Sequence, residues 1–247
     1  MTTTIAGRNQ SAIPWGRITV WGFILLYLFI TLFPFWWVLR TALTTYNRVY
    51  TDVSSLWPVD FTFDNFLRVL GFLDVSAAVA AGGSGQSINF FLFLRNSFIF
   101  ATTIAVTQTF FSALAAYAFA RLRFPLRDQI FLLYIAALMV PPIVTLIPNF
   151  ILIRELNLMD SFLGMILPTF LMTPFAVFFL RQFFLGVNRE VEEAARIDGA
   201  SIITIFWRIV LPITRPPLVT LAIITFITMW NEYLWPLIVG VRKRCAC

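Results

Sequence analysis

Long apolar runs separated by short polar segments dominate the chain and predict membrane-spanning helices. A run of about twenty apolar residues is long enough to cross the hydrocarbon core of a bilayer as a helix. By this criterion the pattern predicts five spans, at residues 18–39, 96–120, 129–153, 162–185 and 217–239. The chain is therefore expected to be an all-α polytopic membrane protein.

The segment between the first two predicted spans, residues 40–95, is too polar to cross a membrane. A short helix is expected at 64–70, followed by a flexible stretch that contains Gly82, Gly83 and Gly85. These glycines lack the Lys-Ser/Thr pair of a phosphate-binding loop, and no strand precedes them, so a flexible loop is the favoured interpretation.

Prolines interrupt the third predicted span. Pro141 and Pro142 each lack a backbone donor, and broken membrane helices either line cavities or bend for packing. The sequence leaves these two interpretations open.

The longest polar interruption in the second half of the chain, residues 190–217, predicts two short helices joined by a turn, a hairpin at 188–213. Asn188 and Ser201 are residues of the type that caps a helix start, and Gly199 is typical of a helix end. Pro212 is expected to close the second helix.

The first helix of this predicted hairpin combines charge with a small apolar face. Three glutamates occupy its first turns, as the helix dipole favours. Val191, Ala194 and Ala195 fall on one side, and such small side chains let another backbone approach closely. Docking into a groove on a second protein is the favoured interpretation, and an amphipathic helix in the membrane interface is the alternative.

Composition supports the membrane class and excludes several functions. The chain is 60% hydrophobic and 12% charged, against roughly a quarter charged in soluble domains. Its net charge of +6 is the balance of 18 basic residues (17 Arg and one Lys) and 12 acidic ones, and the basic residues form no basic face, so nucleic acid is excluded as a partner. His is absent, and Cys245 and Cys247 are the only cysteines, which excludes a disulfide framework and a Cys/His metal centre. The spans also lack the clustered His, Asp or Ser sets of a membrane enzyme, so the chain is not expected to be an enzyme.

The arginines also predict an orientation. With residues 1–17 in the cytoplasm, the inner segments hold ten arginines and the outer ones five, as the positive-inside rule requires. Five spans then place the basic tail, residues 240–247, outside. This departure from the rule predicts an atypical, truncated or frameshifted terminus after about residue 239.

Several motifs resemble one transporter family. Glu193-Ala194-Ala195, then three residues, Gly199, then nine residues, Ile209-Val210-Leu211-Pro212, resembles the EAA signature of binding-protein-dependent ABC importer permeases. Asp198-Gly199-Ala200, the segment at 206–209 and the segments at 121–125 and 230–236 resemble the carbohydrate-importing branch. The resemblance extends from the first span to about Val239.

This resemblance implies a type I ABC importer permease of the maltose-permease kind, with five of an expected six spans, in the bacterial cytoplasmic membrane. The implied partners are a second permease subunit, two cytoplasmic ATPase subunits and an extracytoplasmic sugar-binding protein. ATP and magnesium would lie on the ATPase, with no cofactor bound by this chain. The hairpin would transmit ATPase motion to alternating access, through a set of implied contact residues: Glu193, Ala194, Ala195, Asp198, Gly199, Ala200, Leu211 and Pro212.

A second candidate site lies in the fifth predicted span, at Trp230, Asn231, Glu232 and Tyr233. An ionisable residue inside a span indicates a transport pathway or a buried pair, and the aromatic rings suit sugar surfaces. An interfacial aromatic belt is the alternative, with Glu232 reaching water. An importer for a non-sugar solute is an alternative function. An ion-coupled carrier is less favoured, because it would need several buried acids or an inverted repeat.

Overall fold

The computed structural model describes residues 15–73, 76, 79 and 89–240. In these ranges the chain is helical, with no strand and one isolated antiparallel bridge between Thr44 and Phe61. The all-α class is confirmed. Most of the cytoplasmic segment predicted at 1–17, the three glycines of the predicted flexible loop and the basic tail from residue 241 lie outside the described residues.

The chain divides into two compact units, residues 1–90 and 91–247. In the first, helix α1 (Trp15–Ala42) contains the first predicted span and continues through Pro34. Its apolar side chains are exposed along most of its length, as expected of a helix that faces lipid. Two short helices follow, α2 (Tyr46–Val49) and α3 (Asp64–Val69), and α3 lies where a helix was predicted.

The second unit consists of helices and short breaks. In order they are α4 (Phe90–Arg121), α5 (Arg127–Ala136) with a 3₁₀ turn (Ala137–Met139), α6 (Pro142–Glu155), α7 (Phe162–Ile166), α8 (Pro174–Gly186), α9 (Arg189–Ile197), α10 (Ile202–Ile205), a π-helical segment (Phe206–Val210), α11 (Leu211–Ile213), α12 (Arg215–Trp230) and α13 (Leu234–Val239).

Two apolar clusters hold this unit together, one towards each end of α4. Near its C-terminal end, small side chains such as Ala113 and Ala116 let α8 and the π-helical segment pack closely, burying Leu180 and Phe206. Near the other end, a second cluster joins α4, α6, α7 and α13: Phe100, Ile104, Ile153, Met165, Trp235 and Val239.

Three predicted spans are not single straight helices. The span at 129–153 bends by 96° between α5 and α6, because Pro141 is extended and a residue before proline avoids the helical region. The span at 162–185 is interrupted between α7 and α8, and the span at 217–239 between α12 and α13. The described residues contain two helices long and apolar enough to cross a membrane, or up to four if each bent pair is one span. The number of crossings stays a prediction.

Candidate functional site

The first helix of the hairpin, α9, has a defined start and end. Asn188 caps it, because its Oδ1 accepts a hydrogen bond from the backbone N–H two residues on, at 3.1 Å. At the other end Gly199 adopts a φ of 80°. Its N–H donates to the Arg196 carbonyl at 3.0 Å, and the Ala200 N–H donates to the Ala195 carbonyl at 2.9 Å. This pair of bonds is a Schellman C-cap, so Asn188 and Gly199 begin and end the helix as predicted.

The second half of the hairpin differs from the prediction at its end. Ser201 caps α10 as predicted, accepting from the Thr204 N–H at 3.2 Å. Pro212, however, does not close the helix, which widens into the π-helical segment and continues through α11. The wider turn accommodates a proline that has no N–H to donate. The chain then bends by 78° into α12 at Thr214, whose hydroxyl donates to the Val210 carbonyl at 2.7 Å.

A buried ion pair attaches α9 to the rest of the second unit. Nε of Arg121, the last residue of α4, lies 3.0 Å from Oε1 of Glu192, and the two side chains are 3% and 5% exposed. The atoms are at ion-pair distance without the alignment of a hydrogen bond. Nη2 of the same arginine donates to the carbonyls of Phe184 and Val187, at the C-terminal end of α8. One guanidinium therefore connects the ends of α4 and α8 to the hairpin.

Half of the predicted contact residues lie on the exposed side of the hairpin. Glu193, Ala194, Asp198 and Gly199 are all exposed. Ile197, which the sequence prediction did not include, is 86% exposed beside them. The small residues of this side allow another protein to approach closely, and the apolar Ile197 and the two carboxylates can contact it.

The other predicted contact residues face inward or sit at the edge. Ala195, Ala200 and Leu211 are partly buried and pack against the apolar cluster near the C-terminal end of α4. Pro212 is half-buried. The apolar face predicted from Val191, Ala194 and Ala195 is therefore divided, because the first two are exposed and the third packs inward.

The second candidate site forms the break between α12 and α13. The Asn231 side chain donates to the Ile227 carbonyl at 2.7 Å. Oε1 of Glu232 accepts from the Trp235 backbone N–H at 3.2 Å. Trp230 and Tyr233 are exposed. The carboxylate is half-buried, and it satisfies a backbone donor at the start of a helix that a break has exposed.

Two cavities meet at Glu232. One, of about 270 Å³, is lined by all four predicted pathway residues. The other, of about 280 Å³, lies towards the bend between α5 and α6 and includes Pro142 and Asn149 in its wall. The second cavity is therefore lined both by the bend between α5 and α6 and by the break between α12 and α13. The prolines at the α5–α6 bend thus interrupt the helix and also contribute to the wall of a cavity.

Sequence reasoning missed the pairing of Arg121 with Glu192. It treated residues 121–125 only as part of the family resemblance and the glutamate only as a helix-dipole charge. Glu192 shares a helix face with Ala195, which lies three residues on and packs inward. At 100° per residue, however, spacing alone does not say which glutamate of the three turns inward.

Residues 108–244 match the family described as the binding-protein-dependent transport system inner membrane component. The chain belongs to this family. It is 37% identical over 216 residues to the sn-glycerol-3-phosphate transport system permease protein UgpE of Yersinia pestis bv. Antiqua (strain Antiqua), covering 87% of this chain and 73% of that protein. It is 34% identical over 226 residues to the protein of the same name from Escherichia coli O1:K1 / APEC, covering 92% of this chain and 77% of the relative.

A solved structure shares the fold of this inner membrane component. It is the crystal structure of a bacterial ABC transporter involved in the import of the acidic polysaccharide alginate, with a TM-score of 0.75. The match covers 99% of this chain and 80% of that chain at 23% identity, so it speaks for the fold alone.

Membership defines the general role of the chain. It is a permease component of a bacterial binding-protein-dependent importer, located in the inner membrane with several helices across it. For the family in general it implies a second permease, ATPase subunits and an external binding protein. The role of this family is that of a transport permease subunit.

Proposed function

We propose that the hairpin at 188–213 docks on a cytoplasmic ATPase subunit and transmits its motion to the membrane helices of an importer for a carbohydrate. The observation that carries this proposal is the two-sided build of α9. Its exposed side presents Glu193, Ala194 and Ile197, whereas its buried side is held by the Arg121–Glu192 pair.

Such an arrangement transmits motion because the hairpin is attached to the rest of the second unit at more than one place. A displacement of α9 acts directly on the guanidinium of Arg121, which contacts Glu192. The same guanidinium donates to the last carbonyls of α8, so the displacement is passed on to that helix. Packing of Ala195 and Leu211 on the apolar cluster adds a second attachment. A closely packed interior shifts as a unit instead of deforming gradually, so the ends of α4 and α8 follow the hairpin.

The proposal assigns the chemistry to the partners. ATP and magnesium are bound by two ATPase subunits, and ATP is hydrolysed there, while this chain binds neither. A second permease subunit completes the pathway, and an extracytoplasmic binding protein delivers the solute. The hairpin and residues 1–17 lie in the cytoplasm, which agrees with the excess of arginines on that side.

The glycerol 3-phosphate permeases among the relatives support a polyhydroxylated solute. In this chain, the cavities around Glu232 are where such a solute would pass, because a carboxylate accepts hydrogen bonds from hydroxyl groups. Trp230 and Tyr233 add flat apolar faces beside polar groups. If the solute itself carries a phosphate, that group should lie away from Glu232, since like charges repel.

A substitution on the exposed side of α9 tests the docking step. Ala194→Trp places a large ring where close approach is required, without touching the buried ion pair. We expect the membrane protein to accumulate normally but to lose co-purification with the ATPase subunit and ATP-driven uptake. Gln129→Trp, at an exposed position of α5 outside the hairpin, is the matched control and should retain both. An Ala194→Trp protein that still binds the ATPase and imports solute would contradict the proposal.

A further inference from the structure

A cleft of about 890 Å³ opens between the turn that follows α4 and the hairpin. This volume falls within the range of roughly 300–1,000 Å³ that is typical of ligand sites. Glu192 and Glu193 are the acidic residues in its wall. Five arginines also line it: Arg121, Arg123, Arg127, Arg189 and Arg196. Five positive and two negative side chains leave an excess of three positive charges.

Two of these arginines are already paired. Arg121 neutralises Glu192, and Arg127 lies 3.1 Å from a carboxylate oxygen of Asp128. Across the described part of the chain, Arg123 and Arg189 have no carboxylate oxygen within 4.0 Å, and both are exposed. They are therefore available to an anion that enters the cleft.

The guanidinium of Arg121 is buried in the wall of the cleft and is not itself available to a ligand. Its side chain is 3% exposed, and it lines the cleft. Within the described residues its Nη1 has no hydrogen-bond acceptor. This nitrogen has less than 1 Å² of accessible surface, so it lies out of reach of an anion in the cleft, and the exposed Arg123 and Arg189 are the groups that can contact one. Charge-assisted bonds from arginine to phosphate oxygens are among the strongest of their kind.

Two exposed apolar side chains are next to cleft residues along the chain. Leu126, in the turn after α4, is 65% exposed, and Ile203 of α10 is 71% exposed. Ile202 lines the cleft itself. The turn connects two apolar helices, α4 and α5, that belong to candidate membrane segments, so it lies at the boundary between hydrocarbon and water. Cationic groups beside apolar ones at this depth match the two halves of a phospholipid.

We propose that this cleft binds the phosphate group of an anionic membrane lipid, with the acyl chains along Leu126 and Ile203. Free inorganic phosphate would use the arginines but would leave the exposed apolar side chains unexplained. An acidic protein segment would also meet Glu193 at the rim. The bound headgroup would connect the turn after α4 to the hairpin, in parallel with the Arg121–Glu192 pair. This proposal does not depend on ATPase docking.

Native mass spectrometry of the full chain in its assembled complex tests the site. The probes are phosphatidylglycerol, zwitterionic phosphatidylcholine and inorganic phosphate, each titrated separately. We expect tight retention of phosphatidylglycerol, with affinity about fivefold weaker in Arg123→Gln or Arg189→Gln and about 25-fold weaker in the double variant, since each basic residue near the surface adds a comparable increment. Arg208→Gln removes the same charge from an exposed residue of the π-helical segment outside the cleft and should bind phosphatidylglycerol as the unmodified chain does.

Three results would overturn the proposal. Retention of phosphatidylglycerol that is unaffected by the two substitutions would show that the cleft is not the site. Inorganic phosphate that binds as tightly and displaces the lipid would assign the site to a soluble anion. Variants that keep the lipid but lose the ATPase subunit would assign the cleft to the protein interface. Because both substituted residues are exposed, an unchanged melting temperature excludes misfolding as the cause of lost binding.

Discussion

Arg121 and Glu192 lie 3.0 Å apart at the junction between the longest helix of the second unit and the hairpin, and both side chains are almost fully buried. Removing two charges from water is unfavourable, and their mutual attraction offsets this only while both partners are present. The pair therefore makes the position of the hairpin depend on the end of α4.

Glu192→Leu should destabilise the protein by about 3–5 kcal/mol, because it leaves the buried guanidinium of Arg121 without its counter-charge. The measurement is the free energy of unfolding, or the melting temperature, of the detergent-solubilised protein. Glu193→Leu removes an equal charge from the next residue, which is exposed, and should change stability by about 0.5 kcal/mol or less.

The double variant Arg121→Met/Glu192→Leu distinguishes an ion pair from simple loss of packing. It should recover part of the lost stability, because no buried charge remains. Recovery should be incomplete, because the carbonyls of Phe184 and Val187 lose the donor that they now share. Equal stability of the double variant and Glu192→Leu would argue against the ion pair.

Gly199 should tolerate asparagine and reject valine. Its φ of 80° is left-handed, and a Cβ built there meets no atom within 4 Å, so the penalty comes from the backbone alone. For most residues that conformation costs about 1–2 kcal/mol, whereas asparagine visits it readily. Gly199→Val should therefore loosen the Schellman turn and lower the solute imported per ATP hydrolysed, measured in proteoliposomes of the assembled importer. Gly186→Val is the control, because Gly186 also has open space around it without a left-handed φ.

The residues at the ends of α9 and α10 were predictable from the sequence because their interactions are local. Asn188 and Ser201 accept hydrogen bonds from N–H groups two or three residues away, and Gly199 acts within one turn. The break at Pro141 was also predictable as a break, since proline restricts its own backbone and its neighbour's. Its 96° angle was not, because packing of α6 against distant helices sets it.

Features that depend on tertiary contacts could not be predicted from the sequence. Ala194 and Ala195 are adjacent and chemically identical, yet one is exposed and the other packs on the apolar cluster. Pro212 is the kind of residue that usually ends a helix. Here the wider turn of the preceding π-helical segment accommodates a residue without an N–H donor, and the helix continues. The contact between Arg121 and Glu192 spans 71 positions of chain, and no local pattern records it.

Gly164→Ala should destabilise the second unit by about 1–3 kcal/mol, as expected when a core is overfilled. A Cβ at this position would lie 2.2 Å from the Leu158 carbonyl oxygen and 3.1 Å from the Ile153 side chain. The backbone would have to shift, and the Ser161 cap that accepts from the Gly164 N–H would shift with it. Melting temperatures check this, with Gly22→Ala as the control, where nothing lies within 4 Å. Comparable losses in both variants would contradict the expected overlap.

Glu232 can be tested for a role in transport separately from its role as a helix cap. Glu232→Gln keeps an oxygen that can accept from the Trp235 N–H but removes the charge from both cavities, whereas Glu232→Leu removes both functions. If the carboxylate lines the pathway, Glu232→Gln should raise the KM for solute uptake several-fold while the melting temperature stays unchanged. If it only caps α13, Glu232→Gln should import normally and Glu232→Leu should lose about 1 kcal/mol of stability, the usual effect of a lost cap. Normal uptake by both variants in correctly assembled complexes would remove Glu232 from the pathway, and the same assay on Asn231→Leu would decide whether its neighbour remains.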